Sequence, residues 1–325
     1  MDLDKFVVRS EEFIYGNMDN SKHVAFTVTE NYVCYAGIVL TSILENSLGE
    51  YSFHIFSTNY SKNDILKIEK TAMKYKCNIY AHIVDDSAIR IYNDPGELVI
   101  PEFMGKYSEK FFYTDVDVCC LKDMKELWSY KMEDKCALVV EIQGIAHRDE
   151  HLRVGVKKYF VSGGMLINTK NWKKNNISSK VFRLLNSKEH FVYPDMDILN
   201  IVLENKVIFI NDNYQYQYSI SSSIDVENKP SMATIPSDVI IVHYTGAVKP
   251  WNKMACNFLV AKPFTDIMKL SEWNDIKFYE SSHYKQIHKA ARLAKKEGNI
   301  KEVLYWYTKY GISKIKYLLK GKNNG

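Results

Sequence analysis

Apolar residues recur along this chain with two different periods, and the switches between them mark its elements. The first 22 residues are polar and irregular and read as a loose arm. Residues 23–28 then form a nearly continuous apolar run suited to a buried strand, followed by helical spacing over 32–46 and a second strand at 53–57. Ser61-Lys-Asn-Asp64 has the form of a capping box with Asp in place of Glu, opening a helix to about Tyr75, and residues 78–84 give a third strand. Strand–helix–strand–helix–strand implies right-handed crossovers and parallel strands, with the ligand edge at their C-terminal ends. Residues 110–120 read as a fourth strand carrying two acids, 137–140 and 164–167 as further strands, and 238–243 as a late one. A helix opens at Pro194, a favourable first-turn residue. The pattern as a whole predicts an α/β chain.

Composition narrows the class. With 325 residues, 46% hydrophobic and 25% charged, the chain can bury a full core without disulfides and is neither disordered nor collagen-like. No apolar run approaches the ~20 residues needed to span a bilayer. The start lacks a secretory layout, and the six cysteines form no CxxC pair, so reduced thiols in the cytoplasm are expected. Aromatic content of 13%, with 23 tyrosines, suits core packing and also sugar-facing surfaces.

Charge is unevenly spread. Residues 283–325 hold ten Lys and one Arg against two Glu, a net +9, so the preceding 282 residues carry −5 of the overall +4. Val303, Tyr307, Ile315, Leu318 and Leu319 interleave with those charges at helical spacing. A basic amphipathic helix of this kind can lie on an anionic membrane or pack back on its own domain. No base-reading module accompanies it, so nucleic acid is not an expected partner.

The chemistry centres on Asp115-Val-Asp117 at the end of an apolar strand. A carboxylate there costs several kcal/mol unless paired, protonated or bound to metal. Two of them at i and i+2 can converge on a divalent cation, with Mg²⁺ or Mn²⁺ suited to oxygen ligands that share their shell with phosphate. His243-Tyr-Thr-Gly246-Ala-Val-Lys249-Pro-Trp251 offers a further ligand, a glycine and a cation; Asp195-Met-Asp197-Ile-Leu-Asn200 offers acids at a helix start. Each alone has an ordinary explanation as a strand end, a core histidine or a helix cap.

In combination, the DxD, then Phe160-Val-Ser-Gly-Gly-Met-Leu-Ile-Asn168-Thr-Lys-Asn-Trp172, then the Asp195 block and HYTGAVKPW, the order resembles glycosyltransferase family 8, and within it the bacterial lipopolysaccharide core hexosyltransferases. The resemblance covers about residues 20–275. It implies a GT-A fold, a Rossmann-like nucleotide-sugar-binding mixed sheet, with domains at 1–22 (arm), 23–275 (catalytic) and 276–325 (basic, mostly helical extension). It further implies retaining transfer of glucose or galactose from a UDP-hexose to a lipopolysaccharide core acceptor. Asp115, Asp117 and His243 would hold Mn²⁺ or Mg²⁺ against the diphosphate, and Gly246 and Lys249 would contact its phosphates. Thr27, Asn31 and Tyr32 would lie beside uracil and ribose, with Asp195 near the reacting sugar. The protein would work at the cytoplasmic face of the inner membrane, peripheral to it through the basic tail.

Four positions depart from the family's pattern. Thr29, Glu97, Val161 and Met196 stand where an acid, an Arg, an Asn and a Gln are usual, all at positions that touch ribose or the donor sugar. A catalytically weak or silent binder of UDP-sugar or glycolipid is therefore the alternative. A nicotinamide-dependent dehydrogenase is disfavoured by the missing Gly-rich turn.

Overall fold

The computed structural model describes residues 6–85, 96–144, 149–280 and 283–322. It divides into two compact units: 1–217 with 238–243 and 270–274, and 218–237 with 244–269 and 275–325. The Glu97 side chain, Ser282 and the segment 86–95 lie outside the described residues.

The first unit runs β1 (Val7–Ile14), β2 (Lys22–Val28), α1 (Val33–Asn46), β3 (Tyr51–Ser57), α2 (Lys62–Tyr75), β4 (Asn78–Val84), α3 (Gly96–Met104), β5 (Lys110–Thr114), β6 (Val118–Cys120), α4 (Lys125–Ser129) and β7 (Ala137–Val139). It continues through α5 (Glu150–Val154), β8 (Gly164–Asn168), α6 (Thr169–Lys174), α7 (Ile177–Leu185), α8 (Pro194–Val202), β9 (Val207–Phe209), β10 (Tyr216–Gln217) and β11 (Ile241–His243). An eight-stranded mixed sheet has the order β1-β4-β3-β2-β5-β8-β7-β9, and a small sheet has the order β10-β11-β6. β2, β3 and β4 are parallel, as the two helical crossovers require. On one face a cluster including Phe56, Phe111, Met165, Trp172, Ile198 and Leu199 forms the core.

Local chemistry sets the boundaries. Ser61 caps α2 by accepting from Asp64 N at 3.1 Å, as the capping pattern predicts. Gly37 in α1 makes room for Trp273: a Cβ there would sit 2.2 Å from the indole, whose Nε1 donates to Asp64 Oδ1 at 3.1 Å. That contact holds segment 270–274 against the first two helices.

Three expectations are corrected. The N-terminal arm is not loose over its length, because β1 pairs antiparallel with β4, from Val7 opposite Val84 to Ile14 opposite Asn78. As an edge strand it is only partly buried on either face and shows no clean alternation. Residues 110–120 are two strands: β5 ends at Thr114 and β6 starts at Val118, in different sheets. The late strand is confined to Ile241–His243.

The second unit contains α9 (Ile220–Val226), α10 (Lys262–Leu270), α11 (Tyr284–Lys296) and α12 (Ile300–Lys322). The basic tail is helical, as its spacing suggests, but as two helices rather than one. Ile287, Ala290, Ala291 and Ala294 of α11 bury Trp306 of α12, with Val303 and Tyr310 packed alongside. Ile300, Leu304, Ile315 and Leu318 of α12 stay exposed on a separate stripe. No helix among the described residues is long and apolar enough to cross a membrane.

A buried row of imidazoles crosses the sheet. Ser10 Oγ lies 2.7 Å from His82 Nδ1, His82 Nε2 3.0 Å from His54 Nδ1, and His54 Nε2 2.9 Å from His23 Nδ1. A neutral imidazole offers one N–H and one acceptor nitrogen, so the row is satisfied when all three rings are neutral and share a tautomer. Burial lowers His23 to about 4 and His82 to about 3, and it lowers His54, flanked by the other two, well below the usual value. The unfolded chain takes up these protons near pH 6.5 while the folded chain refuses them. Stability is therefore full above pH 6.5 and falls towards pH 4, by up to about 1.4 kcal/mol per pH unit for each neutral ring. Urea denaturation between pH 7.5 and 5 measures this. His82→Gln should flatten the slope; a slope equal to that of the unmodified protein would show that the row is not its source.

Candidate functional site

β5 and β6 follow one another in sequence but belong to different sheets, so the backbone must cross between them through Asp115-Val116-Asp117. The two acids escape the strand interior, where neither could be solvated. β11 pairs antiparallel with β6, His243 opposite Val118, which brings the imidazole to the crossing. One ligand atom from each of Asp115, Asp117 and His243 lies within 4.8 Å of the others. His243 Nε2 is 3.2 Å from Asp117 Oδ1 and 3.9 Å from Asp115 Oδ2.

Two neighbours shape this cluster. Gly163, before β8, accepts from Asp115 N at 3.1 Å, and a Cβ on it would lie 2.3 Å from Asp115 Oδ2 and 2.7 Å from His243 Cε1. Only glycine lets the carboxylate and the ring come this close to the β8 entry. On the other side, the buried Gln215 amide sits 3.2 Å from His243 Nδ1, and its Oε1 has no hydrogen-bond partner among the described residues. Either end of the amide can face the ring. With Oε1 towards Nδ1–H both groups are satisfied and Nε2 keeps its lone pair, which is how a metal-binding histidine is usually oriented. Two carboxylates, an imidazole so held and a glycine cradle make a set that a divalent cation fits.

Asp195 stands in the first turn of α8 and accepts from Ser162 Oγ at 3.2 Å, one residue before the Gly163 cradle. Its neighbour Asp197 is different in kind. It is fully buried and accepts from Arg153 Nη1 and Nη2 at 2.7 and 2.6 Å, from Tyr159 Oη, and from Val192 N and Tyr193 N at 3.0 and 3.1 Å. Burial alone would raise its carboxyl, but Arg153, Tyr159 and the Tyr193 amide outweigh it and hold the group below the usual range. With its acceptor sites filled, Asp197 anchors the start of α8. Asn200 is likewise used up, bonded to Phe160 N and O and to Met196 O.

Thr27 lies near the end of β2, its Oγ1 buried without a hydrogen-bond partner among the described residues. Asn31 and Tyr32 sit in the exposed 3₁₀ turn that precedes α1, and the Tyr32 ring lies 5.5 Å from that of Tyr35. Of the departing positions, Thr29 is exposed, Met196 half-buried and Val161 buried. Gly246 and Lys249 belong to the second unit. Gly246 has φ +81°, a conformation that favours glycine. Lys249 folds back on its own loop, with Nζ donating to Tyr244 O at 2.7 Å, while Val248 N donates to Ser221 Oγ at 3.1 Å.

The structure therefore gathers Asp115, Asp117 and His243 and links Asp195 to the same wall through Ser162. Sequence reasoning gave no role to Ser162, Gly163, Arg153, Tyr159 or Gln215. The Ser-Gly-Gly run was a visible signal; nothing in the sequence pointed to Arg153 or Gln215.

Comparisons with known proteins bear on the family and the fold. The profile of the family described as glycosyl transferase family 8 matches residues 23–255. The chain is 26% identical over 312 residues to the lipopolysaccharide glucosyltransferase WaaO of Escherichia coli K12, covering 90% of this chain and 91% of that one. It is 26% identical over 271 residues to a lipopolysaccharide 1,3-galactosyltransferase of Salmonella typhimurium, covering 78% and 79%. In fold it is similar to the crystal structure of the galactosyltransferase LgtC in complex with donor and acceptor sugar analogs, with a TM-score of 0.64 at 20% identity over 77% of this chain and 96% of that one. The mixed GT-A sheet and a profile match over most of the length place the chain in glycosyl transferase family 8.

Proposed function

We propose that this glycosyltransferase moves glucose or galactose, with retention, from a UDP-sugar to a lipopolysaccharide core oligosaccharide. The observation that carries the reading is the convergence of Asp115, Asp117 and His243 around the Gly163 cradle in a chain of this family. These three side chains would hold Mn²⁺ or Mg²⁺, whose charge offsets the negative charge that builds on the departing diphosphate. Lys249 would supply a cation to the phosphates, and Gly246 would let the backbone approach them. Thr27 Oγ1, which has no hydrogen-bond partner among the described residues, and the exposed Asn31 and Tyr32 would take ribose and uracil. Asp195, held by Ser162, stabilises positive charge at the anomeric carbon, the role an acid plays in glycosidases.

Residues 23–275 would form the catalytic part and 276–325 a basic extension that brings it to the cytoplasmic face of the inner membrane. The exposed stripe of Ile300, Leu304, Ile315 and Leu318, flanked by lysines, supports that role, since the residues that join α11 to α12 are different ones. Each Lys near an anionic surface contributes about 1 kcal/mol.

Three experiments test these assignments. Asp117→Ala should abolish Mn²⁺-dependent UDP binding in calorimetry and cut transfer by at least about a hundredfold, with the melting profile retained; transfer at the unmodified rate would refute the site. Gly163→Ala should weaken Mn²⁺ binding by at least about tenfold, because Asp115 must move to admit the methyl group. For the extension, Leu304→Glu/Ile315→Glu should lower flotation with phosphatidylglycerol vesicles several-fold while UDP binding is unchanged.

A further inference from the structure

A concavity lies wholly within the second unit. Its volume is about 280 Å³, and its walls bring together Ser221, Asp225, the pair Ala247–Val248 and a face of α11. That face presents Lys285, His288, Lys289 and Arg292, spaced i, i+3, i+4 and i+7 so that all four share one side of the helix. The opposite side of α11, with Ile287, Ala290, Ala291 and Ala294, is buried against Trp306. Packing therefore fixes which way the basic side faces.

The charges in this hollow do not balance. Asp225 is its one carboxylate, and it bridges Lys289 Nζ at 2.9 Å and Arg292 Nη1 at 3.2 Å. Three cationic side chains against one carboxylate leave an excess of two positive charges. The His288 ring is stacked on Tyr310, 4.6 Å away, which presents it as a fixed polar group. Ser221 Oγ accepts from Val248 N, leaving its own proton to donate. A phosphate monoester, carrying about −1.5 to −2 at neutral pH with three acceptor oxygens, matches both the charge and the donors. Ala247 and Val248 stand between Gly246 and Lys249, so one short loop supplies both the proposed diphosphate contacts and a wall of this hollow.

We infer that the Lys285, His288, Lys289, Arg292 and Ser221 hollow is an acceptor subsite that takes a phosphate group carried by the acceptor saccharide. The inference rests on the reading of the chain as a transferase with a saccharide acceptor and adds the acceptor's phosphorylation state to it. A concave site of this size, near the lower end for small-ligand pockets, favours a phosphosugar over the planar array of headgroups on a bilayer.

The test uses the full chain and two probes, lipopolysaccharide core oligosaccharide with its phosphates and the same oligosaccharide after chemical dephosphorylation. Calorimetry should show the phosphorylated form binding at least about tenfold more tightly, with the difference shrinking as salt rises. In Lys285→Gln/Arg292→Gln the two forms should bind alike. Equal affinity of the unmodified protein for both forms overturns the inference, as does a double variant that keeps the difference. Phosphatidylglycerol vesicles form a separate arm: if the double variant loses vesicle binding while the unmodified protein does not distinguish the oligosaccharides, the hollow reads lipid and the inference is wrong. Transfer from a panel of UDP-sugars is measured alongside. Absence of any product would sink the transferase reading, whereas the binding comparison judges the phosphate subsite by itself.

Discussion

The structure turns on a place where two carboxylates and an imidazole meet at a strand break. Asp115 and Asp117 cannot both sit in a buried strand, and bringing them within 4.8 Å of each other and of His243 sets like charges against each other. The fold accepts this because the break is where β5 leaves one sheet and β6 joins another, so the acids fall on backbone that is already irregular. The cost is confined by neighbours: a glycine where any side chain would collide, and an amide that fixes the ring. A divalent cation would convert this repulsion into attraction.

How much of this was legible in the sequence depends on the range over which each signal acts. β2, β3 and β4 were readable because their apolar runs are bounded by helical spacing and by the Ser61 cap, all local features. β1 was not, since an edge strand that is partly buried on both faces has no period to detect. The break at residues 115–117 was hidden by the continuous apolar run around it; the two halves are told apart only by their partners, β8 for one and β11 for the other. Asp115 and Asp117 were singled out by their i, i+2 spacing at a strand end, but that His243 lies beside them follows only from the pairing of β11 with β6. Gln215 and Arg153 could not be, because each acquires its role from a residue 28 or 44 positions away.

The first turn of α8 shows how similar residues diverge by environment. Asp195 and Asp197 are two apart, yet among the described residues one meets a hydroxyl and the other a bidentate guanidinium, a phenol and two amides. Asp197 and Asn200 are spent on holding the helix start against residues 153–160, which leaves Asp195 as the acid in this turn with capacity to act elsewhere. The sequence block shows three polar residues of similar appearance. Packing divides them into two whose polar atoms are taken up by neighbours and one that accepts from Ser162.

The same reasoning bears on donor choice under the function proposed above. The departures at Val161 and Met196 remove two amides, and Val161 is buried, so this part of the wall cannot offer hydrogen bonds in their place. Asn200 cannot substitute, because both ends of its amide are occupied. Among the described residues, what remains to address sugar hydroxyls at this wall is Ser162 and Asp195. Glucose and galactose differ in the orientation of one hydroxyl, and a site with few fixed donors distinguishes such epimers through the hydrogen bonds it would leave unmade. Among the described residues of this wall, discrimination under that function would rest on the Ser162–Asp195 pair, and selectivity between the two hexoses should be lower than in a chain that keeps both amides.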